Sequence, residues 1–151
     1  MASKRTRSIM RITAALYFAA YAVWMLWLLF GQRLGADVYT QPAADSVNIT
    51  PFATIERYLS LLRSSNPAMV RHAFINLVGN VIMFVPLGYF LPRIFPKMRR
   101  FFRTFFLSLG LILLVELVQY ATTLGICDID DLILNMAGVM IGYPFHKIKL
   151  N

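Results

Sequence analysis

Four long apolar stretches, separated by short polar segments, dominate the pattern of the chain. Residues 12–30, 74–91 and 132–145 contain no charged side chain, and residues 105–120 contain only Glu116. A helix needs roughly 20 apolar residues to cross a bilayer. The pattern therefore predicts an all-α fold, an integral membrane four-helix bundle with spans at about residues 12–30, 74–91, 104–121 and 131–145.

The long connection between the first two spans, residues 31–73, carries a helical pattern of its own. Thr50 and Pro51 mark a helix start, because threonine is a common N-cap and proline loses no hydrogen bond at the first helical position. Apolar residues then recur at helical spacing, at Phe52, Ile55, Leu59 and Leu62. We therefore expect an extra amphipathic helix that lies in the outer interface or over the mouth of the bundle, preceded by an ordinary loop over residues 31–47.

The distribution of charge predicts how the spans are oriented. The chain is 58% hydrophobic and 15% charged, with a net charge of +8. If the N-terminus is cytoplasmic, the inner segments hold most of the Lys and Arg residues and no acid, whereas all 7 acids lie outside or in the outer half of a span. The positive-inside rule therefore places both termini of a multi-pass protein in the cytoplasm. The same rule accounts for the positive net charge, so no nucleic-acid partner is needed to explain it. The basic 93–103 turn is expected to contact anionic lipid headgroups.

Two alternatives concern how the chain is organised. Residues 12–30 follow Lys4, Arg5 and Arg7, as the apolar part of a signal peptide would. The stretch is longer than the roughly 7–15 residues of a cleaved signal, and no small-x-small cleavage site follows, so we expect a retained helix. No repeat or linker divides the chain, which predicts a single transmembrane domain over residues 1–151. The one cysteine, Cys127, cannot form an internal disulfide.

Polar residues inside the predicted spans share one depth, near the outer boundary of the membrane. Asn76 and Asn80 are one turn apart and lie on one face of the second span, as Glu116 and Gln119 do on the third. An ionisable group at that depth costs on the order of 2–3 kcal/mol, so such side chains turn away from lipid. We therefore expect an outward-facing polar ligand pocket formed by Asn76, Asn80, Glu116, Gln119, Asp128, Asp130, Asp131 and Asn135.

The three aspartates before the fourth span also allow a simpler explanation. Asp128 is placed as an N-cap, with Asp130 and Asp131 in the first turn, where carboxylates satisfy free N–H groups and the helix dipole. A structural hydrogen-bond cluster that joins the helices is thus the alternative to a pocket. Close carboxylates must share a proton or meet a cation. The candidates are Arg71, His72, or a divalent ion held by Glu116, Asp128 and Asp131.

Small residues predict where helices pack closely. Gly138 and Gly142 form a small-xxx-small pair in the fourth span, and Gly79 and Gly88 allow close approach to the second. Pro86 lies in the middle of the second span and removes one backbone hydrogen bond, so a bend is expected there.

Four segments, taken in order, resemble a known family. They are VNITPFATI (47–55), NLVGNVIMFVPLGYFLP (76–92), VELVQ (115–119) and DIDDLILNMAGVMIGY (128–143), and together they resemble the VanZ-like family of small bacterial membrane proteins. The family pattern stresses the predicted pocket residues together with Pro51, Phe52, Gly79, Pro86, Gly88 and Gly138. The resemblance implies a place in the bacterial cytoplasmic membrane and low-level resistance to teicoplanin, a lipid-bearing glycopeptide that acts on the cell wall.

Three classes of function fit these residues. The leading hypothesis is a cell-envelope protein whose pocket binds an amphiphile: a membrane lipid, a lipid-linked wall precursor or a lipoglycopeptide. The second is a metal-dependent enzyme acting on a lipid phosphate or diphosphate, although the sequence has no Ser-x-x-Lys or HExxH motif. The third is a small lipid transporter or flippase subunit, although polar residues do not continue through the inner half of the spans. No cofactor is predicted, an enzyme is not favoured, and the oligomeric state is left open.

Overall fold

The chain is mostly helical. The computed structural model describes residues 4–31, 47–122 and 127–148, so the predicted 31–47 loop lies outside the described residues except at its ends. The helices are α1 (Lys4–Leu26), α2 (Ala53–Leu61), α3 (Pro67–Ile94), α4 (Phe101–Ala121) and α5 (Ile129–Gly142). A π-helical turn, Trp27–Gly31, follows α1, and 3₁₀ helices occupy Pro96–Arg99 and Tyr143–Lys147. Two short strands, β1 (Val47–Asn48) and β2 (Cys127–Asp128), pair in parallel.

Three helical segments are long and apolar enough to cross a membrane, and they contain the first three predicted spans. They are Ser8–Gly31, Pro67–Ile94 and Phe101–Ala121. The fourth predicted span is not among them, because α5 has 14 residues and is about 21 Å long at 1.5 Å per residue. The 3₁₀ helix after it adds about 10 Å, so only the two together approach the roughly 30 Å hydrocarbon core. The four-span bundle therefore stays a prediction.

α3 and α5 run side by side in the same direction, with their backbones in contact at glycines. A Cβ atom on Gly138 would lie 2.1 Å from the carbonyl oxygen of Val81, and one on Gly142 would lie 2.0 Å from that of Val85. Non-bonded atoms do not approach so closely. Both glycines of the small-xxx-small pair therefore lie where the two helices meet, and only the absence of a side chain permits this packing.

The two glycines of α3 differ in their surroundings. A Cβ atom on Gly88 would lie 2.1 Å from the carbonyl oxygen of Val139, so Gly88 belongs to the same contact. At Gly79 the nearest atom would be Cγ2 of Ile75, 4.0 Å away in the same helix. The expectation of a close helix approach at Gly79 is therefore wrong within the described structure. α3 continues without interruption through Pro86, and the bend stays a prediction.

α1 packs against α3 and runs in the opposite direction. The hydroxyl of Tyr21 donates a hydrogen bond of 2.7 Å to the carbonyl oxygen of Met83. Phe18 lies earlier in α1 but packs against Phe90, later in α3, with ring centroids 6.0 Å apart. The buried core lies between α3, α4 and α5 and contains Phe84, Leu87, Leu91, Ile112, Met136 and Val139.

The described acids and most of the described cations lie at opposite ends of the bundle. α4 begins beside the end of α5, where the rings of Phe101 and Tyr143 are 5.4 Å apart, so it runs opposite to α5. The end of α4 and the start of α5 form what we call the acid end, with Glu116, Asp128, Asp130 and Asp131. The start of α4 and the end of α5 belong to the basic end, with Arg11, Arg93, Lys97, Arg99, Arg100, Arg103 and Lys147.

The contact between α3 and α5 predicts a position-specific cost of adding one methyl group. Gly142→Ala should lower the thermal unfolding temperature in detergent, because the Cβ atom would overlap the carbonyl oxygen of Val85. Overpacking of this kind costs typically about 1–3 kcal/mol. Gly110→Ala is the matched control in α4, where an added Cβ atom would meet no atom within 4 Å. Equal unfolding temperatures for the two variants would contradict the packing.

Candidate functional site

Asp130 is completely buried and holds the start of α2. Its Oδ1 accepts a hydrogen bond of 2.6 Å from the N–H of Phe52, and its Oδ2 accepts bonds of 2.7 and 3.0 Å from the N–H groups of Thr54 and Ile55. The first N–H groups of a helix have no partner inside the helix. A carboxylate from α5 therefore accepts the hydrogen bonds that an N-cap side chain would accept. It also lies at the positive end of the α2 dipole.

This contact replaces the predicted helix start at Thr50 and Pro51. α2 begins only at Ala53, and Phe52 at its N-cap position makes no side-chain capping bond. Phe52 has a φ of 67°, a left-handed conformation that costs a residue with a side chain roughly 1–2 kcal/mol. The hydrogen bond to Asp130 offsets that cost. Thr50 as N-cap is therefore a wrong prediction, and a tertiary contact is the reason.

Asp128 joins three segments of the chain. It is the N-cap of α5, where its Oδ1 accepts a 2.9 Å bond from the N–H of Asp130. Its Oδ2 accepts a 2.6 Å bond from the hydroxyl of Thr54, and Nδ2 of Asn48 lies 3.3 and 3.4 Å from its two oxygens. Asn48 is also its partner in the β1–β2 pair. Asp128 and Asp130 therefore act as acceptors for the 48–55 segment.

Asp131 faces a different neighbour. Nδ2 of Asn80 donates a 2.6 Å hydrogen bond to Oδ1 of Asp131, which joins α3 to α5. Tyr58 of α2 lies close by: burial, and then the carboxylate of Asp131, raise the pKa of its hydroxyl. The ring of Tyr58 packs edge-on against His72, with centroids 5.7 Å apart. Residues from α2, α3 and α5 thus surround this carboxylate.

Glu116 and Asn135 are buried at the same end, with 5% and 4% of their surfaces exposed. Burial, and next the carboxylate of Glu116, raise the pKa of the Cys127 thiol, so Glu116 of α4 faces the segment that leads into α5. Asn135 follows Asp131 by one helical turn. Within the described residues, its Oδ1 accepts no hydrogen bond. A buried acceptor of this kind needs a donor from water or a ligand.

Two of the predicted pocket residues donate hydrogen bonds to backbone carbonyl groups. Nδ2 of Asn76 donates to the carbonyl oxygen of His72 in its own helix, at 2.8 Å. Nε2 of Gln119 donates to the carbonyl oxygen of Leu29, at 3.2 Å, and so joins α4 to the π-helical turn after α1. These contacts give each amide group one partner within the protein, and a place in a ligand pocket stays a prediction for both residues.

Among the described residues, the acidic side chains do not gather as metal ligands would. In the part of the chain that the structure describes, no group of three His, Cys, Asp or Glu side chains is placed to hold a metal ion. Asp128 and Asp131, two members of the hypothetical ligand set, accept hydrogen bonds from protein donors. Sequence reasoning missed Asn48, Thr54 and Tyr58 as individual residues, although Asn48 and Thr54 lie in the VNITPFATI segment.

A protein-family model covers most of the chain. The family model described as VanZ/LLP1 matches residues 15–150. This chain belongs to the VanZ/LLP1 family. The resemblance inferred from the four sequence segments is thereby confirmed, and the VanZ/LLP1 match includes the acid end and α2.

One relative can be compared directly. Protein VanZ of Enterococcus faecium is 29% identical over 132 residues, which cover 87% of this chain and 71% of that protein. No solved structure matches the chain.

The Asp130 contact predicts which amides become exposed when its charge is removed. In Asp130→Asn, one oxygen is replaced by an amide donor, so an N–H group at the start of α2 loses its acceptor, at a cost of about 1–3 kcal/mol. Hydrogen exchange of the peptide covering residues 52–61 should become roughly tenfold faster or more. Glu56→Gln, an exposed carboxylate on the same helix, should leave the exchange unchanged. Unaltered exchange in Asp130→Asn would refute the capping role.

Proposed function

We propose that this protein is a multi-pass protein of the bacterial cytoplasmic membrane that contributes to teicoplanin-type glycopeptide resistance. Both termini would lie in the cytoplasm and the acid end would face outward. There the protein would bind an amphiphilic component of the envelope or a lipoglycopeptide. Membership of the VanZ/LLP1 family and similarity to Protein VanZ support this proposal.

The observation that carries the proposal is the buried Oδ1 of Asn135, which has no hydrogen-bond partner among the described residues and lies one turn from Asp131 of the Asn80–Asp131 pair. Buried polar atoms without partners are uncommon, because each costs about 1–3 kcal/mol. Pure helix-to-helix hydrogen bonding does not explain an oxygen that bonds to neither helix. A bound molecule with hydroxyl, amide or amine donors would explain it, because such a molecule could donate a hydrogen bond to this oxygen.

The surroundings of these residues favour an amphiphile. Asn135 is adjacent to the buried core residue Met136 and one turn before Val139, so a polar group that reaches it lies beside apolar side chains. α2 lies over the same end, and its N-cap residue Phe52 and its residue Leu59 are 54% and 51% exposed. A polar head near Asn135 and an acyl chain beside α2 would use both surfaces.

Susceptibility tests can separate this function from a structural role. Expression in a glycopeptide-sensitive host should raise the inhibitory concentration of teicoplanin and leave that of vancomycin unchanged. Asn135→Leu should abolish the effect while its unfolding temperature stays at or above that of the wild type, because an apolar side chain replaces an unsatisfied acceptor.

Ser108→Ala is the matched control. The hydroxyl of Ser108 is also buried without a partner in the described structure, but it lies on α4 toward the basic end. This variant should keep full protection. Equal teicoplanin susceptibility with and without the wild-type protein, at confirmed expression, would eliminate the antibiotic role.

The proposed orientation predicts which thiols a membrane-impermeant maleimide can reach in intact cells. Cys127, at the acid end, should be labelled, and the reaction is best run at about pH 8.5 because a raised thiol pKa lowers the thiolate fraction at neutral pH. In a Cys127→Ser background, Lys97→Cys at the exposed basic end should be labelled only after the cells are permeabilised. The reverse labelling pattern would show that the acid end faces the cytoplasm and would contradict the proposed orientation.

A further inference from the structure

A cavity of about 480 Å³ opens at the basic end, on the opposite side of the bundle from Asn135. Its walls come from the first half of α1, the end of α3 and both 3₁₀ helices. Sites for small molecules commonly have volumes of roughly 300–1,000 Å³. The cavity is therefore large enough for a headgroup together with the start of an acyl chain.

Cations line one part of this cavity. Arg11, Arg93, Arg99 and Lys147 all contribute to its wall, together with His146, and none of the described residues that line it is acidic. Like charges that converge on one cavity repel each other, the more so beside an apolar environment. An anion placed between them would remove this repulsion and accept hydrogen bonds from several guanidinium groups at once.

Arg93 is the most firmly positioned of these cations. Its Nη2 donates to the carbonyl oxygen of Ile148, and its guanidinium lies over the ring of Tyr89, 4.6 Å from the centroid. Its Nε is buried and, within the described residues, donates to no acceptor. The side chain is thus held in place while one donor stays available. A guanidinium group is well suited to phosphate, because it presents several donors in one plane.

The other part of the cavity wall is apolar. It is formed by Met10, Ala14, Pro92 and Ile148. The backbone of Arg99, which also lines the cavity, is held by a 2.6 Å bond from the hydroxyl of Tyr143 to its carbonyl oxygen. A wall that is cationic on one side and apolar on the other suits an anionic amphiphile better than a soluble anion.

From this geometry we infer that the cavity at the basic end binds the phosphate headgroup of an anionic membrane lipid. Arg11, Arg93, Arg99 and Lys147 contact the phosphate, and the apolar wall accepts the first part of an acyl chain. The inference is independent of the proposed function at the acid end, because no residue is shared between the two sites.

Binding to the purified full-length protein in a neutral detergent tests the inference. Dioleoyl phosphatidic acid should bind more tightly than dioleoyl phosphatidylcholine, which has the same chains but no net charge. The Arg11→Gln, Arg99→Gln double variant should lose about tenfold or more in affinity for phosphatidic acid. Arg100→Gln, Arg103→Gln removes the same charge from neighbouring residues that do not line the cavity, and should bind like the wild type.

Two further measurements distinguish a lipid phosphate from a soluble phosphate and control for misfolding. Glycerol 3-phosphate should fail to displace phosphatidic acid at equal concentration, whereas efficient displacement would overturn the lipid as ligand. The single variant Lys147→Gln removes an exposed charge, so it should weaken the binding of phosphatidic acid and leave the unfolding temperature unchanged. Equal losses in the two double variants, or equal binding of phosphatidylcholine, would refute a phosphate site in this cavity.

Discussion

The carboxylate of Asp130 organises the acid end of this protein. It is fully buried, and burying a charge is unfavourable unless hydrogen bonds replace its hydration. Three backbone N–H groups at the start of α2 supply those bonds, and charge-assisted bonds of this kind are roughly twice as strong as neutral ones. The same contact stabilises the left-handed Phe52 and keeps a short helix against the bundle. A nine-residue helix would be marginal by itself.

Close contact between α3 and α5 complements this polar arrangement. In lipid, apolar side chains gain little by leaving the surrounding acyl chains, so helices associate mainly through close packing and interhelical hydrogen bonds. Both are present here. Gly138 and Gly142 bring the backbones together, and two to three turns earlier in α5 the Asn80–Asp131 bond joins the same two helices. The polar cluster therefore lies on two helices whose backbones are in direct contact.

The opposite charges of the two ends give each a different chemistry. At the acid end, most carboxylates are already engaged by protein donors, and the buried Oδ1 of Asn135 accepts no hydrogen bond from the described residues. At the basic end, guanidinium and ammonium groups surround a cavity and offer donors to an anion. A lipid phosphate at one end and an amphiphile with hydroxyl or amine groups at the other would occupy opposite leaflets in the proposed orientation.

The sequence by itself determined the helical class, the three long apolar helices, the charge asymmetry and the family, because these depend on composition, spacing and segment order. It also indicated that the glycines of α5 would pack closely.

The tertiary structure alone decided how the acids are used. Asp128, Asp130 and Asp131 are neighbours in the chain, yet they bond to the 48–54 segment, the start of α2 and α3 respectively. The N-cap rule acts locally, so it placed a helix start at Thr50 and could not anticipate that a carboxylate 78 residues away from Phe52 would cap α2. Likewise, the basic cavity joins residues from both ends of the chain, and no spacing rule relates Arg11 to Lys147.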